Sequence, residues 1–146
     1  MINVRRMEEN DLKEVYSLEK VVFTMPWSYK SFADTLKLPN TIYLVAEKQG
    51  DIVGYIGIWK ILDEGDVTNI AVRADSRNQG IGQLLISEAI SIAKNDGIKD
   101  LTLEVRKSNQ SAIFLYEKNG FENVGIRPGF YEQPKEDAII MWKWDI

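Results

Sequence analysis

The sequence predicts an α/β (α+β) fold in which a mixed, largely antiparallel, twisted sheet of about seven strands carries helices on both faces. Two patterns predict this fold. The first half is patterned as one strand, two helices and three consecutive strands, and the second half alternates strands and helices before a final strand pair. With 146 residues, 45% of them hydrophobic, the chain is expected to form one domain over 1–146 around a substantial core.

The N-terminal part of the chain is predicted to form a strand and two helices. INVRRM at 2–7 is patterned as the strand, and Asn10 is expected to cap the first helix. After TMPWS breaks the pattern, Ser28 is expected to cap a short second helix that buries Phe32 and Leu36 before LPN ends it. The apolar side chains of the first helix recur at nearly helical spacing and are Leu12, Val15, Tyr16, Leu18 and Val22.

Three antiparallel strands are predicted in the middle of the chain. The segments 41–48, 51–62 and 66–72 are rich in β-branched and aromatic residues. They are separated by QGD and DEG, both of which are turn signals. Short turns between consecutive strands favour antiparallel pairing, so these three segments are expected to be neighbours in the sheet.

A helix is predicted to begin at Ile81, directly after the loop RNQGIG at 77–82, and to end at NDG. Alternation in LTLEV at 101–105 indicates a strand, and SNQSAIFLYEKNG at 108–120 indicates a helix. Two further strands, around FENVG and DAIIMWKW, are predicted to complete the sheet. The face of the first of these helices that is predicted to be buried consists of Ile81, Leu84, Leu85, Ala89, Ile92 and Ala93.

The composition excludes several classes of chemistry. With 18 basic and 22 acidic residues and a formal net charge of -4, the chain lacks the basic stripe typical of nucleic-acid binding. It contains no Cys and no His, so a thiolate nucleophile, an imidazole base and a Cys or His metal site are excluded. Proton transfer must use a carboxylate, Tyr, Lys, a terminus or water. Lacking a signal-like N-terminus and an apolar run near ~18 residues, the protein is expected to be soluble and cytoplasmic, without membrane partners.

The glycine loop at 77–82 is a candidate anion site, because backbone N–H groups at a helix N-terminus attract a phosphate. The dinucleotide fingerprint fails, since Leu85 stands where a third glycine is required. The phosphate-loop motif fails as well, since no Gly-Lys-Ser/Thr follows. The alternative is that Gly80 and Gly82 serve only a tight turn and a close contact between helix and sheet.

RNQGIG resembles the Arg/Gln-x-x-Gly-x-Gly/Ala loop of the GNAT superfamily of N-acetyltransferases. PWS, NIAV, LEVR.SN..AI.LYE..GF and EDAIIM together resemble, over nearly the whole chain, the ribosomal-protein alanine N-acetyltransferase (RimI) type within it. The resemblance implies the GNAT fold, acetyl-CoA as co-substrate without a metal, and a protein N-terminal amine as acceptor. It points to the N-terminal alanine of small-subunit ribosomal protein eighteen, a basic ribosomal protein.

The same resemblance assigns residues to the coenzyme. The backbone of the strand NIAV would pair with the pantetheine arm, and the glycine loop would hold the pyrophosphate. The alternatives are that Ile70 to Val72 only pack in the core, that Arg77 is a solvated arginine, and that Asn109 is an ordinary N-cap. The residues implied in coenzyme binding are Ile70, Ala71, Val72, Arg77, Asn78, Gln79, Gly80, Ile81, Gly82, Gln83 and Asn109.

Two residues match the catalytic pair of the family. Glu104 is implied as the proton acceptor, and the alternative is a solvated strand carboxylate paired with Arg106 or Lys107. Tyr116 is implied as the proton donor to the departing thiolate, and the alternative is a core aromatic at helical spacing from Ala112.

Substrate contacts are implied for Pro26, Trp27, Ser28 and Tyr131, with Trp27 also explicable as a core anchor. Because no Cys can carry an acetyl group, direct transfer in a ternary complex is expected. Alternative acceptors are another protein N-terminus, a lysine or a small amine. A non-catalytic coenzyme-binding protein is a further alternative.

Overall fold

The computed structural model describes residues 1–22 and 28–146, and the side chains of these residues except 20–22. It confirms the predicted mixed sheet, whose seven strands lie in the order β1-β2-β3-β4-β5-β7-β6. The strands are β1 (Ile2–Arg6), β2 (Thr41–Lys48), β3 (Asp51–Ile61), β4 (Glu64–Val72), β5 (Asp100–Arg106), β6 (Glu122–Glu132) and β7 (Lys135–Lys143). The α-helices in the described ranges are α1 (Leu12–Val22), α2 (Tyr29–Leu36), α3 (Ile81–Asn95) and α4 (Gln110–Lys118).

The contact between β4 and β5 shapes the middle of the sheet. It is the parallel contact of the sheet, and its register runs from Glu64 opposite Asp100 to Asp66 opposite Thr102. The rest of β4 has no register partner on β5, although β3 pairs with it as far as Val72. The sheet therefore opens between β4 and β5, and the backbone groups on that side of 67–72 are left for another partner.

A bulge in β4 reverses the alternation of its side chains. Ile58 of β3 lies opposite Val67, while the preceding Gly57 lies opposite Asn69, so Thr68 is an extra residue. Regular alternation would put Val67 and Ala71 on the same face of the sheet. Instead Val67 belongs to the core on one face and Ala71 to the core on the other.

Helices cover both faces of the sheet, as predicted. One core packs α3 against the sheet with Leu85, Ile86 and Ala89, and the opposite core packs α1 and α2 with Val15 and Phe32. The second core also holds Glu19, which is buried and accepts a hydrogen bond from the Tyr55 hydroxyl. None of the helices in the described ranges is long and apolar enough to cross a bilayer.

The predicted buried face of α3 is wrong at one position. Leu84 is 42% exposed, whereas Ile86, which the prediction omitted, is fully buried. At about 100° per residue, the buried arc from Ile81 through Leu85 and Ala89 includes position 86 and leaves position 84 on the far side. The pattern of apolar residues therefore predicted the helix correctly, but it placed the buried face at a rotated position around the helix axis.

The predicted cap of the first helix is also wrong. Asn10 lies inside a 3-10 turn, Glu9–Asp11, that precedes α1. Asp11 closes this turn by accepting a hydrogen bond from the backbone N–H of Glu8 at 2.7 Å. Its other carboxylate contacts come from Arg5, and these lower the pKa of Asp11 below its ordinary value. The acid one residue after Asn10, which also pairs with Arg5, therefore forms the capping interaction.

Candidate active site

The opening between β4 and β5 presents backbone rather than side chains on its β4 side. Ile70 and Val72 pack into the α3 core, and Ala71 is buried in the opposite core. All three side chains are thus used in packing, as the core interpretation of the sequence predicted. Their unpaired backbone edge can bind an extended amide-containing ligand by strand addition at the same time, because this mode requires no particular side chain.

The glycine loop lies at the end of β4 and opens α3. Gly80 is the N-cap of α3 with φ 78, and Asn78 has φ 62, so the chain turns through two left-handed residues. A Cβ built on Gly80 meets nothing within 4 Å, so the approach to its backbone is open. The first N–H groups of α3 have no intrahelical partners, and the helix dipole adds positive potential at this end. The geometry is that of an anion site.

Gly82 serves packing instead of an open approach. A Cβ at this position would lie 3.2 Å from Cδ2 of Leu115 on α4. The Ile81 side chain is buried in the core, and Gln83 forms a reciprocal amide pair with Asn119 at 2.8 and 2.9 Å. These three residues therefore join the start of α3 to α4, and only their backbone N–H groups are directed by position toward an anion.

Two cations lie beside the loop. Arg77 donates from Nε to the Val72 carbonyl at 3.3 Å, which ties the loop to the end of β4. Lys48 donates from Nζ to Oε1 of Gln79 at 2.9 Å. Both cationic groups are available at the surface to screen a polyanion, and Lys48 was not anticipated because it comes from β2, far away in the sequence.

The side chain of Glu104 lies on the β5 side of the opening. It is 24% exposed, and its Oε1 lies 3.8 Å from Nε of Arg127 on β6. The pairing with Arg106 or Lys107 that the solvated-carboxylate alternative envisaged is wrong, since Arg106 is directed to other partners. Glu104 is thus partly buried, and among the described residues its ion pair is the long contact with Arg127.

Tyr116 is the core aromatic that one of the two sequence interpretations predicted. It is buried in the α3 core, with its ring centroid 5.7 Å from that of Phe121. Burial raises the pKa of its phenol, and the neighbouring phenol of Tyr131 raises it further. Tyr131 belongs to the predicted acceptor surface, and the role of Tyr116 as proton donor stays a prediction.

Arg106 holds the hairpin between β6 and β7. It donates from Nη2 to the carbonyl of Gln133 and from Nη1 to that of Pro134, both at 2.9 Å. Its Nη1 also lies 3.2 Å from Glu136, and its Cζ lies 4.3 Å from the ring centroid of Tyr131. Tyr131 is half-buried, and burial followed by the charge of Glu104 raises its pKa to about 12.

Glu136 connects this hairpin to the start of α4. Its Oε2 accepts from the backbone N–H of Ser108 at 2.6 Å, and hydrogen bonding by the Ser108 side chain is the largest cause of the lowered pKa of Glu136. The next residue, Asn109, is the N-cap of α4 and accepts from the N–H of Ala112 at 3.3 Å. The N-cap interpretation of Asn109 is therefore confirmed, and the acceptor hairpin is hydrogen-bonded next to it.

Of the substrate-side residues near the second helix, only Ser28 lies within the described residues. It caps α2, as predicted, by accepting from the N–H of Ser31 at 3.1 Å. Pro26 and Trp27 lie outside the described residues. The sequence analysis did not identify two further charged residues of the opening, Asp66 and Arg127. The available sequence signal was Asp66 itself, an acidic residue in the otherwise uncharged run DVTNIAV.

The opening between β4 and β5 places two different sets of groups opposite each other. One side offers backbone N–H groups and edge amides, and the other offers ionisable side chains. The chain belongs to the acetyltransferase (GNAT) family, whose model matches residues 12–121. It is therefore an acyltransferase, and the GNAT fold and superfamily membership expected from its motifs are confirmed.

Relatives match over nearly the full chain. A putative ribosomal protein bS18-alanine N-acetyltransferase of Bacillus subtilis is 42% identical over 140 residues, covering 95% of this chain and 93% of the relative. The ribosomal protein bS18-alanine N-acetyltransferase of Escherichia coli K12 is 35% identical over 143 residues, covering 97% and 96%. The crystal structure of the Escherichia coli enzyme aligns with a TM-score of 0.91 at 34% identity, covering 99% of this chain and 94% of that chain.

Proposed function

We propose that the protein transfers the acetyl group of acetyl-CoA to the N-terminal alanine of ribosomal protein bS18. The observation that carries the proposal is the division of the opening between a backbone anion site on the β4 side and Glu104 on the β5 side. Full-length relatives that bear the name of this activity support the choice of acceptor. Because that substrate is a ribosomal protein, we place the enzyme, as one domain over 1–146, in the cytoplasm.

The donor would lie along β4. The N–H groups at the start of α3 would hold its pyrophosphate, and the backbone of 70–72 would pair with the amides of its pantetheine arm. In this arrangement the thioester would lie in the opening, and Glu104 and Tyr116 are proposed to act on it there. Arg77 and Asn109 are proposed to contact the coenzyme from the two ends of the site.

Transfer is proposed to be direct. The acceptor nitrogen attacks the thioester carbonyl, the new C–N bond forms, and the C–S bond breaks. Glu104 accepts a proton from the nitrogen, and Tyr116 supplies a proton to the departing thiolate. Since the chain contains no Cys, and no His to activate a Ser, an acetyl-enzyme intermediate is not expected.

The acceptor is proposed to be an α-amine because of its acidity. An α-ammonium group has a pKa of about 7.7–8.0 against about 10.4 for lysine, so a much larger fraction is neutral near pH 7. The hairpin residue Tyr131 and the substrate-side Pro26, Trp27 and Ser28 would hold the first residues of the peptide. With a net charge of -4, the enzyme suits a basic peptide.

A competition between two peptides tests this proposal. One is a basic peptide with an N-terminal alanine, and the other is its N-terminally blocked twin with an internal lysine. We expect acetyl-CoA to modify the first peptide faster, as measured by mass spectrometry and thiol release. Faster modification of the blocked peptide would contradict the α-amine assignment. Coenzyme binding without acetyl transfer to any amine would favour a non-catalytic coenzyme-binding protein.

A further inference from the structure

Asp66 occupies the last position at which β4 and β5 are still in register. It lies opposite Thr102, and Glu104 follows two residues further along β5. Side chains two residues apart on a strand share a face, so Asp66, Thr102 and Glu104 are directed to the same side of the sheet. The two carboxylates therefore stand on either side of the point at which the sheet opens.

The surroundings of Asp66 are those of a functional acid more than of a surface charge. It is half-buried, and in the described ranges no cation lies within ion-pair distance of it. Burial, and then the charge of Glu104, raise the pKa of Asp66 to about 6, while Arg127 acts in the opposite direction. Arg127 is exposed and is also the cation beside Glu104, so in the described ranges the two carboxylates share one long-range cation.

The reaction requires the acceptor nitrogen to lose two protons. A protonated α-amine carries three N–H bonds, and the amide product retains one of them. One proton must leave before attack, because the ammonium has no free electron pair, and the second leaves after the C–N bond has formed. One proton equivalent ends on the coenzyme thiol and the other is released to solvent. Glu104 as a single base would have to unload the first proton before it could accept the second.

We propose that Asp66 is a second catalytic carboxylate of the acceptor site, which binds the α-ammonium group together with Glu104 and accepts its first proton. Glu104 then accepts the second proton, which leaves as the amide forms. The inference rests on the proposed α-amine acceptor and assigns a further residue to it. The α-ammonium would supply the close cation that Asp66 lacks in the described ranges, so the site selects a positively charged amine with one short-range partner on each strand.

The acidity of Asp66 fits this step. Proton transfer from an α-ammonium of pKa about 7.7–8.0 to an ordinary aspartate of pKa about 3.9 is unfavourable by about four pKa units. The raised pKa of Asp66, about 6, halves that gap while leaving the carboxylate ionised at pH 7.

The test compares Asp66→Asn with Glu64→Gln, which removes one charge from an exposed position on the same strand. The full-length enzyme is assayed with acetyl-CoA and the basic alanine peptide from pH 5.5 to 9.5. We expect Asp66→Asn to lower kcat/KM about 10²-fold at pH 7 and to abolish the inflection near the pKa of about 6. The deficit should shrink above about pH 8, where the α-amine is already neutral. Glu64→Gln should match the wild type.

Three results would overturn the inference. They are an unchanged kcat/KM in Asp66→Asn, a deficit that is the same at every pH, and an inflection that persists without the carboxylate. Unchanged coenzyme affinity by calorimetry confirms that the variant is folded. If Asp66→Asn does not fold, Asp66→Glu replaces it, and an inflection that does not move with the longer side chain contradicts the assignment. A wild-type enzyme inactive on the peptide contradicts the proposed function itself.

Discussion

The two sides of the opening between β4 and β5 present different chemical groups. The β4 side uses backbone: the N-cap glycine, Gly80, the first turn of α3 and the unpaired edge of 67–72. The β5 side uses ionisable side chains, with Glu104 near Arg127 and with Arg106 stacked on Tyr131. The donor side is therefore sensitive to conformation, and the acceptor side to charge.

The two sides also differ in the substitutions that they can tolerate. Side chains on the donor side are largely committed to packing, as Ile81 and Ala71 show by their burial. Their replacement by similar apolar residues should leave the backbone site intact. A conservative change of charge on the acceptor side, such as Glu to Gln, keeps the shape and removes the chemistry.

The largest expected effect is that of Glu104→Gln. Turnover should fall by about 10²–10⁴-fold, because an amide cannot accept the proton of the attacking nitrogen. Coenzyme affinity should stay within about twofold of the wild type, since the donor side uses backbone. Steady-state kinetics with the alanine peptide and calorimetry with coenzyme A measure the two quantities. Glu122→Gln, an exposed position on β6, is the matched control. Full activity of Glu104→Gln would favour the alternative interpretation, in which Glu104 is a solvated strand carboxylate.

Tyr116→Phe should reduce turnover about 10²-fold without weakening coenzyme binding, because it removes the proton supplied to the thiolate. Burial raises the pKa of Tyr116 above its ordinary value of about 10, so the phenol keeps its proton throughout the assay range. The rate ratio of wild type to Tyr116→Phe should accordingly stay constant from pH 7 to about 9.5. A ratio that narrows with rising pH would show that the phenol ionises in this range.

Arg106→Ala tests whether the hairpin is positioned from β5. Loss of the bonds to Gln133, Pro134 and Glu136 should raise the KM for the peptide about tenfold, with a smaller change in kcat. Lys107→Ala removes the next cation along the chain and should leave KM unchanged. An equal fall in kcat and in coenzyme affinity would instead indicate general damage to the β5–α4 junction.

The smallest expected effect concerns the donor side. Gly80→Ala should weaken coenzyme binding about tenfold, because a left-handed conformation costs a residue with a Cβ about 1–2 kcal/mol. Gly97→Ala is the matched control, since Gly97 has φ 85 against 78 at Gly80 and lies just beyond the other end of α3. Both variants should lose similar stability in thermal unfolding, and only Gly80→Ala should change the coenzyme Kd. Equal Kd values would reassign the loop to a structural turn.

The donor side could be predicted from the sequence because its parts are consecutive. RNQGIG, the helix it opens and the strand NIAV lie in a single stretch, and local patterns describe them well. The Arg106 clamp could not be predicted, because its partners Gln133, Pro134 and Glu136 lie more than 25 residues further along the chain. The resemblance supplied Glu104 and Tyr131, but not the charges around them.

The errors have related physical causes. Asp66 and Arg127 join the site through strand register, which a sequence pattern does not give. Asn10 was favoured as a cap by its local propensity, but the next residue, Asp11, closes the turn before α1 on the N–H of Glu8 and pairs with Arg5. The cap of α4 at Asn109 involves only its own helix, and that prediction was correct.

The bulge at Thr68 sets the orientation of the β4 residues that follow it, and this matters more than which residue occupies position 68. A strand directs successive N–H and C=O groups to alternate sides, so one extra residue decides which amides of 69–72 are directed toward the opening. Substituting Thr68 leaves that count unchanged. If Thr68 instead paired regularly with Gly57, every position after it would shift by one residue, exchanging the faces of Ala71 and Val72 and turning the donor edge toward β3. The bulge is therefore itself part of the binding site.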